Sequence, residues 1–168
     1  MPTFESTTHR HAARLGPGTT PAANAHAADF SRIAASGTFP ALVLVVDDHE
    51  DSRAIARLVL ESAGFRVAEA KTGFEGFRMG VELRPSVILL DMILPGLDGW
   101  EIARLLRANA DVKNATIVAV TALASTDDRD RALLAGCNEV LIKPVPPALL
   151  LNTVRRYIGV PVSSGRAS

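Results

Sequence analysis

Cysteine is almost absent from this chain of 168 residues: a lone Cys137 excludes an internal disulfide and any cysteine-built metal site, as expected of a reducing compartment. An excess of one charge is missing too. The 18 Lys and Arg balance the 18 Asp and Glu, so no overall field draws the chain to a phosphate backbone or an anionic bilayer. Six Phe, one Trp and one Tyr are too few rings for a base-stacking surface. The longest apolar runs reach about six residues, against roughly 20 needed to cross a membrane, and no basic-then-apolar leader opens the chain. These absences predict a cytoplasmic protein that binds neither nucleic acid nor membrane. What is present, 48% hydrophobic and 21% charged residues, suits one globular domain with a sizeable core.

Residues 1–40 differ from the rest, being rich in Ala, Thr, Pro, Gly and His with no sustained period of 2 or 3.6, which predicts a disordered extension. His9, His11 and His26 lack the spacing and the Cys partners of a metal tract. From Ala41 the pattern changes. ALVLVV (41–46), SVILL (86–90), TIVAV (116–120) and VLI (140–142) are apolar on both faces, as strands of a parallel sheet covered by helices must be. RVAEA (66–70) alternates and carries charge, the pattern of an edge strand. Helical stretches separate these runs. The first places Ile55, Leu58, Val59 and Ser62 at helical spacing and ends near Gly64. The second opens on the capping box Thr72-x-x-Glu75, and the third on Asp98-x-x-Glu101 with Ile102, Leu105 and Leu106 on one face. A fourth starts at Ser125 or Thr126 and stops at Gly136. The fifth follows Pro146 and Pro147, with Leu150, Val154 and Ile158 in one stripe. Five βα units in succession predict a doubly wound α/β domain over residues 41–158, followed by a short polar tail over 159–168.

In an open parallel sheet, ligands bind beyond the carboxyl ends of the strands, near the point where strand order reverses. The residues at those ends are Asp47 and Asp48 after the first strand, Asp91 after the third, Thr121 after the fourth and Lys143 after the fifth. With strands one and three adjacent, three carboxylates converge in one crevice, and their mutual repulsion calls for a bound cation or a proton. Mg²⁺, a hard ion held by one or two carboxylates, waters and phosphate oxygens, is the expected cofactor. A fixed ammonium on Lys143 and a hydroxyl on Thr121 would then hold a phosphoryl group carried by Asp91, a carboxylate being a competent nucleophile toward phosphorus.

The segments VVDDHEDSR, LLDMILPGLDGW, VTALAS and LIKPV resemble, in order, those of the bacterial response regulator receiver domain, over about Ala41 to about Ile158. The likeness is specific because five separated positions match together: Asp47, Asp48, Asp91, Thr121 and Lys143 before Pro144. It implies a flavodoxin-like three-layer sandwich of strand order 2-1-3-4-5, with a cis peptide between Lys143 and Pro144. It implies that Asp91 is the phospho-acceptor, that Asp48, Asp91 and the backbone carbonyl of Ile93 bind Mg²⁺ directly, and that Asp47 acts largely through water. Thr121, Ala122 and Lys143 are implied to face the phosphoryl group. The implied partners are a histidine kinase or histidine phosphotransfer protein as donor and an unknown protein downstream. Because only about ten residues follow the last helix, too few for a further domain, output is expected by protein contact or relay.

Two departures from the family pattern stand out. Val140 occupies the position, three before Lys143, where the family usually has Tyr or Phe, so output by movement of a ring is in question. Ile93 and Leu123 occupy the two positions that tune attack of water on the phosphoryl group; both are apolar, which predicts slow self-dephosphorylation. Competing readings are a phosphorylation-independent adaptor, a phosphate sink and a Mg²⁺-dependent phosphatase of the haloacid dehalogenase type. The last would need an acid where Ile93 stands. His49 reads as a solvated loop residue, Cys137 as a small packing residue and Trp100 as a helix anchor. Asp127 to Arg131 with Arg155 and Arg156 are explained equally by a two-fold homodimer and by a solvated face.

Overall fold

A computed structural model describes residues 40–159; the expectations for the N-terminal extension and the C-terminal tail fall, Pro40 and Gly159 aside, outside the described residues. The elements alternate as β1 (Leu42–Val46), α1 (Glu50–Ser62), β2 (Arg66–Ala70), α2 (Gly73–Leu83), β3 (Val87–Asp91), α3 (Gly99–Ala108), β4 (Thr116–Thr121), α4 (Thr126–Leu134), β5 (Glu139–Ile142) and α5 (Pro147–Ile158). All strand pairs are parallel, in the order β2-β1-β3-β4-β5. Strand pattern and helix caps account for the boundaries. Thr72, Asp98 and Ser125 are N-caps whose side chains accept from Glu75, Glu101 and Asp128 N–H groups. At α2 the return half of the capping box is shifted: the Glu75 carboxylate accepts from the Lys71 N–H, at 2.8 Å, one residue before the cap. The peptide between Lys143 and Pro144 is cis.

Period-2 alternation in the central strands divides the core. Leu44, Val46, Ile88, Leu90, Ile117, Ala119 and Val140 face α2, α3 and α4 through Ile102, Leu106 and Ala132. Val43, Val45, Val87, Leu89, Val118 and Leu141 face α1 and α5 through Ala56, Leu60, Leu150 and Val154. Among the described residues no helix is long and apolar enough to cross a membrane.

The first helix presents a different face from the one its apolar spacing suggests. Arg53, Ala56 and Leu60 are buried, whereas Ile55 and Leu58 are 56% and 71% exposed. A charged residue holds the inner face because the Arg53 guanidinium donates to the Asp47 carbonyl at 2.8 Å and pairs with the Glu69 carboxylate at 3.7 Å, where hydropathy alone would place Arg outside. In α3, likewise, Ile102 and Leu106 are fully buried and Leu105 is exposed.

Arg107 ties loops at the amino edge of the sheet, donating to the carbonyls of Gly136, Lys113 and Ala115 and to Asn138 Oδ1 at 2.6–2.7 Å. Beside it Cys137 is buried, and burial pushes its thiol up to about 11. A neutral, inaccessible thiol is a poor nucleophile. Iodoacetamide at pH 8 is therefore expected to leave Cys137 unmodified in the native protein and to label it fully in urea; equal labelling rates in the two states would contradict the burial.

Candidate functional site

The register of the sheet assembles the site. β1 pairs with β3 so that Val46 lies opposite Leu90, which brings the next residues, Asp47 and Asp91, level at the carboxyl edge. β4 and β5 place Thr121 opposite Ile142, and the Lys143 N–H donates to the Thr121 carbonyl at 2.8 Å. Lys143 thus reaches across from the far strand. Its Nζ donates to Asp91 Oδ2 at 2.6 Å and to Asp47 Oδ2 at 2.7 Å. The other oxygens are held by backbone: Asp47 Oδ1 accepts from the His49 N–H and Asp91 Oδ1 from the Ile93 N–H, each at 2.8 Å. Both carboxylates are buried, Asp91 to 4% exposure, while Asp48 is exposed at the mouth.

Electrostatics makes this arrangement unfinished. Burial pulls the Lys143 ammonium down, but hydrogen bonds to Asp47 and Asp91 and their charges outweigh it, so its pKa is held above the usual lysine value. One ammonium faces three carboxylates, leaving two negative charges unmatched by the lysine. Asp47, Asp48, Asp91 and His49 each offer a ligand atom within 4.8 Å of one another. Carboxylate oxygens grouped around a surplus of negative charge are the donor set Mg²⁺ takes, with the remaining positions left to water and phosphate oxygens. A cavity of about 440 Å³ opens beside them, floored by Asp47, Asp91 and Lys143 and walled by Ile55, Val145 and Leu150.

The remaining residues singled out in the sequence fall around this crevice. Thr121 is buried, and its Oγ1 accepts from the Leu123 N–H at 3.1 Å. Ala122 is exposed, Ile93 is 49% exposed and Leu123 is half-buried against the α3–α4 side of the core. Val140 is buried opposite Ala119, in the same cluster as Trp100 and Cys137. Arg131 from α4 stacks over the Trp100 ring, 4.5 Å from its centroid, and Arg156 pairs with Glu139, so two of the arginines considered for a dimer contact are engaged within the chain. One residue escaped the sequence reading: Arg53 underpins the first acidic turn from below. His49, read as a solvated loop residue, is 70% exposed, with Nδ1 2.8 Å from Asp48 Oδ1. Nothing in the sequence pattern marks Arg53.

Fold and site together define a doubly wound parallel α/β protein with an acidic crevice at the carboxyl edge of its sheet. Residues 43–155 match the response regulator receiver domain, and the chain belongs to that family, whose setting is two-component signalling. It is 29% identical over 120 residues to the polar-differentiation response regulator DivK of Brucella anthropi, covering 71% of this chain and 98% of that protein. Among solved structures it is similar to the chemotaxis response regulator CheY4 of Vibrio cholerae, with a TM-score of 0.67 and 30% identity over 70% of this chain and 98% of that one. The receiver domain of a sensor histidine kinase from Pseudomonas aeruginosa, solved with magnesium coordinated in its active-site cleft, matches at a TM-score of 0.67 and 34% identity, covering 71% and 98%.

Proposed function

We propose that this receiver accepts a phosphoryl group on Asp91 from a histidine kinase or histidine phosphotransfer protein and signals through protein contact. The observation that carries this reading is the Asp91 carboxylate, buried at the end of β3 and bonded to Lys143 Nζ at 2.6 Å inside a cluster of further carboxylates. In the transfer, an Asp91 oxygen forms a bond to phosphorus as the donor's P–N bond breaks, and the imidazole leaves with the electron pair. Asp48, Asp91 and the Ile93 carbonyl would hold Mg²⁺, which neutralises charge on the transferred oxygens. Asp47 holds Lys143 through the bond from the lysine Nζ and, with Mg²⁺ bound, would act largely through water. Lys143 follows the developing charge on one side, and the Thr121 hydroxyl, whose oxygen now accepts from Leu123, donates its proton toward the phosphoryl group beside Ala122, drawing the β4–α4 loop inward. Exposed Ile55 and Leu58 give a donor protein an apolar footing next to the crevice. The cytoplasm is the location that goes with this partner.

Intact-protein mass after incubation with Mg²⁺ and a small phosphodonor tests the proposal. One phosphoryl group is expected on the wild type and none on Asp91→Asn or in EDTA; equal gain by Asp91→Asn would refute it. Apolar Ile93 and Leu123 cannot orient an attacking water, so the phosphoryl group is expected to persist. Ile93→Asn combined with Leu123→Glu should speed its loss by at least about tenfold, and an unchanged decay would remove that account.

Val140 favours a second reading. A buried valine is too short to alternate between core and surface as a ring does, which suits a phosphorylation-independent adaptor or a phosphate sink. Partner affinity that is equal with and without the phosphoryl group would decide for the adaptor.

A further inference from the structure

We propose that the Trp100 indole and the Arg131 guanidinium stacked on it form a clasp between α3 and α4, closed as the structure shows it and opened when Asp91 carries a phosphoryl group, so that α4 is released for a partner protein to read. The inference rests on the reading above in one respect, that Asp91 accepts the group. Little besides the clasp holds α4 down. Ala132 is the one buried residue of that helix, while Leu133 and Leu134 are exposed. Trp100, in the first turn of α3, lies in one core cluster with Ala132, Ala135 and Val140, and the Arg131 Cζ stands 4.5 Å from the centroid of its ring, a cation–π contact.

The closed clasp is also incomplete. Trp100 is 8% exposed, and its Nε1 is the one buried side-chain nitrogen or oxygen among the described residues without a hydrogen-bond partner. A buried donor left unpaired opposes the contact that buries it, whereas opening would give Nε1 to water and leave the already exposed Arg131 guanidinium solvated. Closed and open forms thus differ by the balance between a stack and an unpaired N–H, which one ligand with differential contacts can tip. Both ends of the clasp connect to the crevice. Gly99, the residue before Trp100, donates its N–H to the Met92 carbonyl at 3.1 Å and packs against the Asp91 carbonyl with no room for a Cβ. From the other side, Thr121 Oγ1 accepts from the Leu123 N–H at 3.1 Å, and Leu123 packs on the cluster that holds Trp100. Ser125 Oγ then accepts from the Asp128 N–H, and the Asp128 carboxylate lies 3.9 Å from Arg131. When the Thr121 hydroxyl turns to a phosphoryl group, the bond from Leu123 is given up and the start of α4 shifts across the ring. Val140 does not have to move. A static packing contact, the plain alternative, would be the same with and without the phosphoryl group.

Trp100 is the only tryptophan of the chain, so fluorescence of the full-length protein reports the clasp alone. The protein is treated with Mg²⁺ and a small phosphodonor, phosphoryl occupancy is read by intact mass, and acrylamide quenching of Trp100 is measured beside amide hydrogen exchange of α4. On phosphorylation the quenching constant is expected to rise by at least about threefold and α4 exchange to quicken by at least about tenfold, with neither change in Asp91→Asn. Arg131→Met, which removes the guanidinium, should show raised quenching before phosphorylation and accept the phosphoryl group at a rate within about twofold of wild type. Trp100→Phe keeps a ring under Arg131 and deletes the unpaired N–H; its α4 should exchange more slowly before phosphorylation and respond to it at least about threefold less. Phosphorylated protein with unchanged quenching and exchange, Arg131→Met with wild-type quenching, or Trp100→Phe with the full wild-type response would overturn the clasp while leaving Asp91 as acceptor. A chain that gains no phosphoryl group would remove the acceptor reading and the clasp with it.

Discussion

Lys143→Met is expected to slow phosphoryl acceptance at Asp91 by about a hundredfold or more at saturating Mg²⁺, the scale seen when one preorganised donor is removed from a site of developing charge. Methionine keeps the length and apolar stem of lysine and deletes only the ammonium. That ammonium bridges Asp47 and Asp91 at 2.7 and 2.6 Å. Without it two nearly buried carboxylates confront each other with no fixed counter-charge, so folding stability should also fall, by about 1–2 kcal/mol once the 24% exposure of the lysine side chain is allowed for. The pH dependence carries a definite sign. Because the fold holds the Lys143 pKa above its ordinary value, the pair's contribution is complete below the unfolded lysine pKa of about 10.4 and is lost as pH rises through the higher folded value. Urea denaturation should therefore separate wild type from Lys143→Met at pH 7, with the difference shrinking at strongly alkaline pH. Phosphorylation of Lys143→Met at the wild-type rate would deny the lysine its part in transfer.

Gly99→Ala is expected to cost about 3 kcal/mol, near the upper end for overpacking, and to displace the acceptor carboxylate. A Cβ at Gly99 would stand 2.5 Å from the Asp91 carbonyl oxygen and 2.5 Å from Met92 Cα, both backbone atoms that cannot swing aside. Its N–H donates to the Met92 carbonyl at 3.1 Å, so the start of α3 is bound directly to the chain leaving β3. Gly80→Ala is the matched control. The atom nearest to its new Cβ, at 2.9 Å, is the far end of the Leu106 side chain, which can rotate, and the cost should be about 1 kcal/mol or less. Chemical denaturation of the two variants, with phosphorylation followed in parallel, checks the contrast; equal costs would mean that α3 can slide away from β3.

Hydropathy exposed most of the sheet. The runs of β1, β3 and β4 are apolar on both faces because helices cover both; of the two edges, β2 alternates, and β5 is a short apolar run whose last residue, Ile142, is exposed. Polar residues at the ends of those runs locate the crevice, since a buried strand ending in Asp or Lys delivers that group to the carboxyl edge of the sheet. Strand order was not readable from periodicity; it came from the resemblance, as did the cis bond before Pro144. The buried face of α1 differs from its apolar spacing for a physical reason. Ile55 and Leu58 stand at helical spacing, but the inner face includes Arg53, whose guanidinium donates to the Asp47 carbonyl and lies 3.7 Å from the Glu69 carboxylate, pairings with the ends of β1 and β2 that no window of hydropathy contains. His49 reads as a solvated loop residue from its position after the acidic pair and is 70% exposed, while its place beside the acidic cluster depends on the turn that Asp47 makes with its own backbone neighbour.

The most direct measurement of the central claim is chemical trapping of the phosphorylated residue. Borohydride reduces an acyl phosphate to a primary alcohol with release of phosphate, so an aspartyl phosphate becomes homoserine. After phosphorylation of the full chain with Mg²⁺, reduction and peptide mapping, homoserine is expected at position 91 and at no other aspartate. Homoserine at position 47 or 48 with Asp91 intact, or a phosphoryl group that resists borohydride and maps to a hydroxyl side chain, would contradict Asp91 as the acceptor.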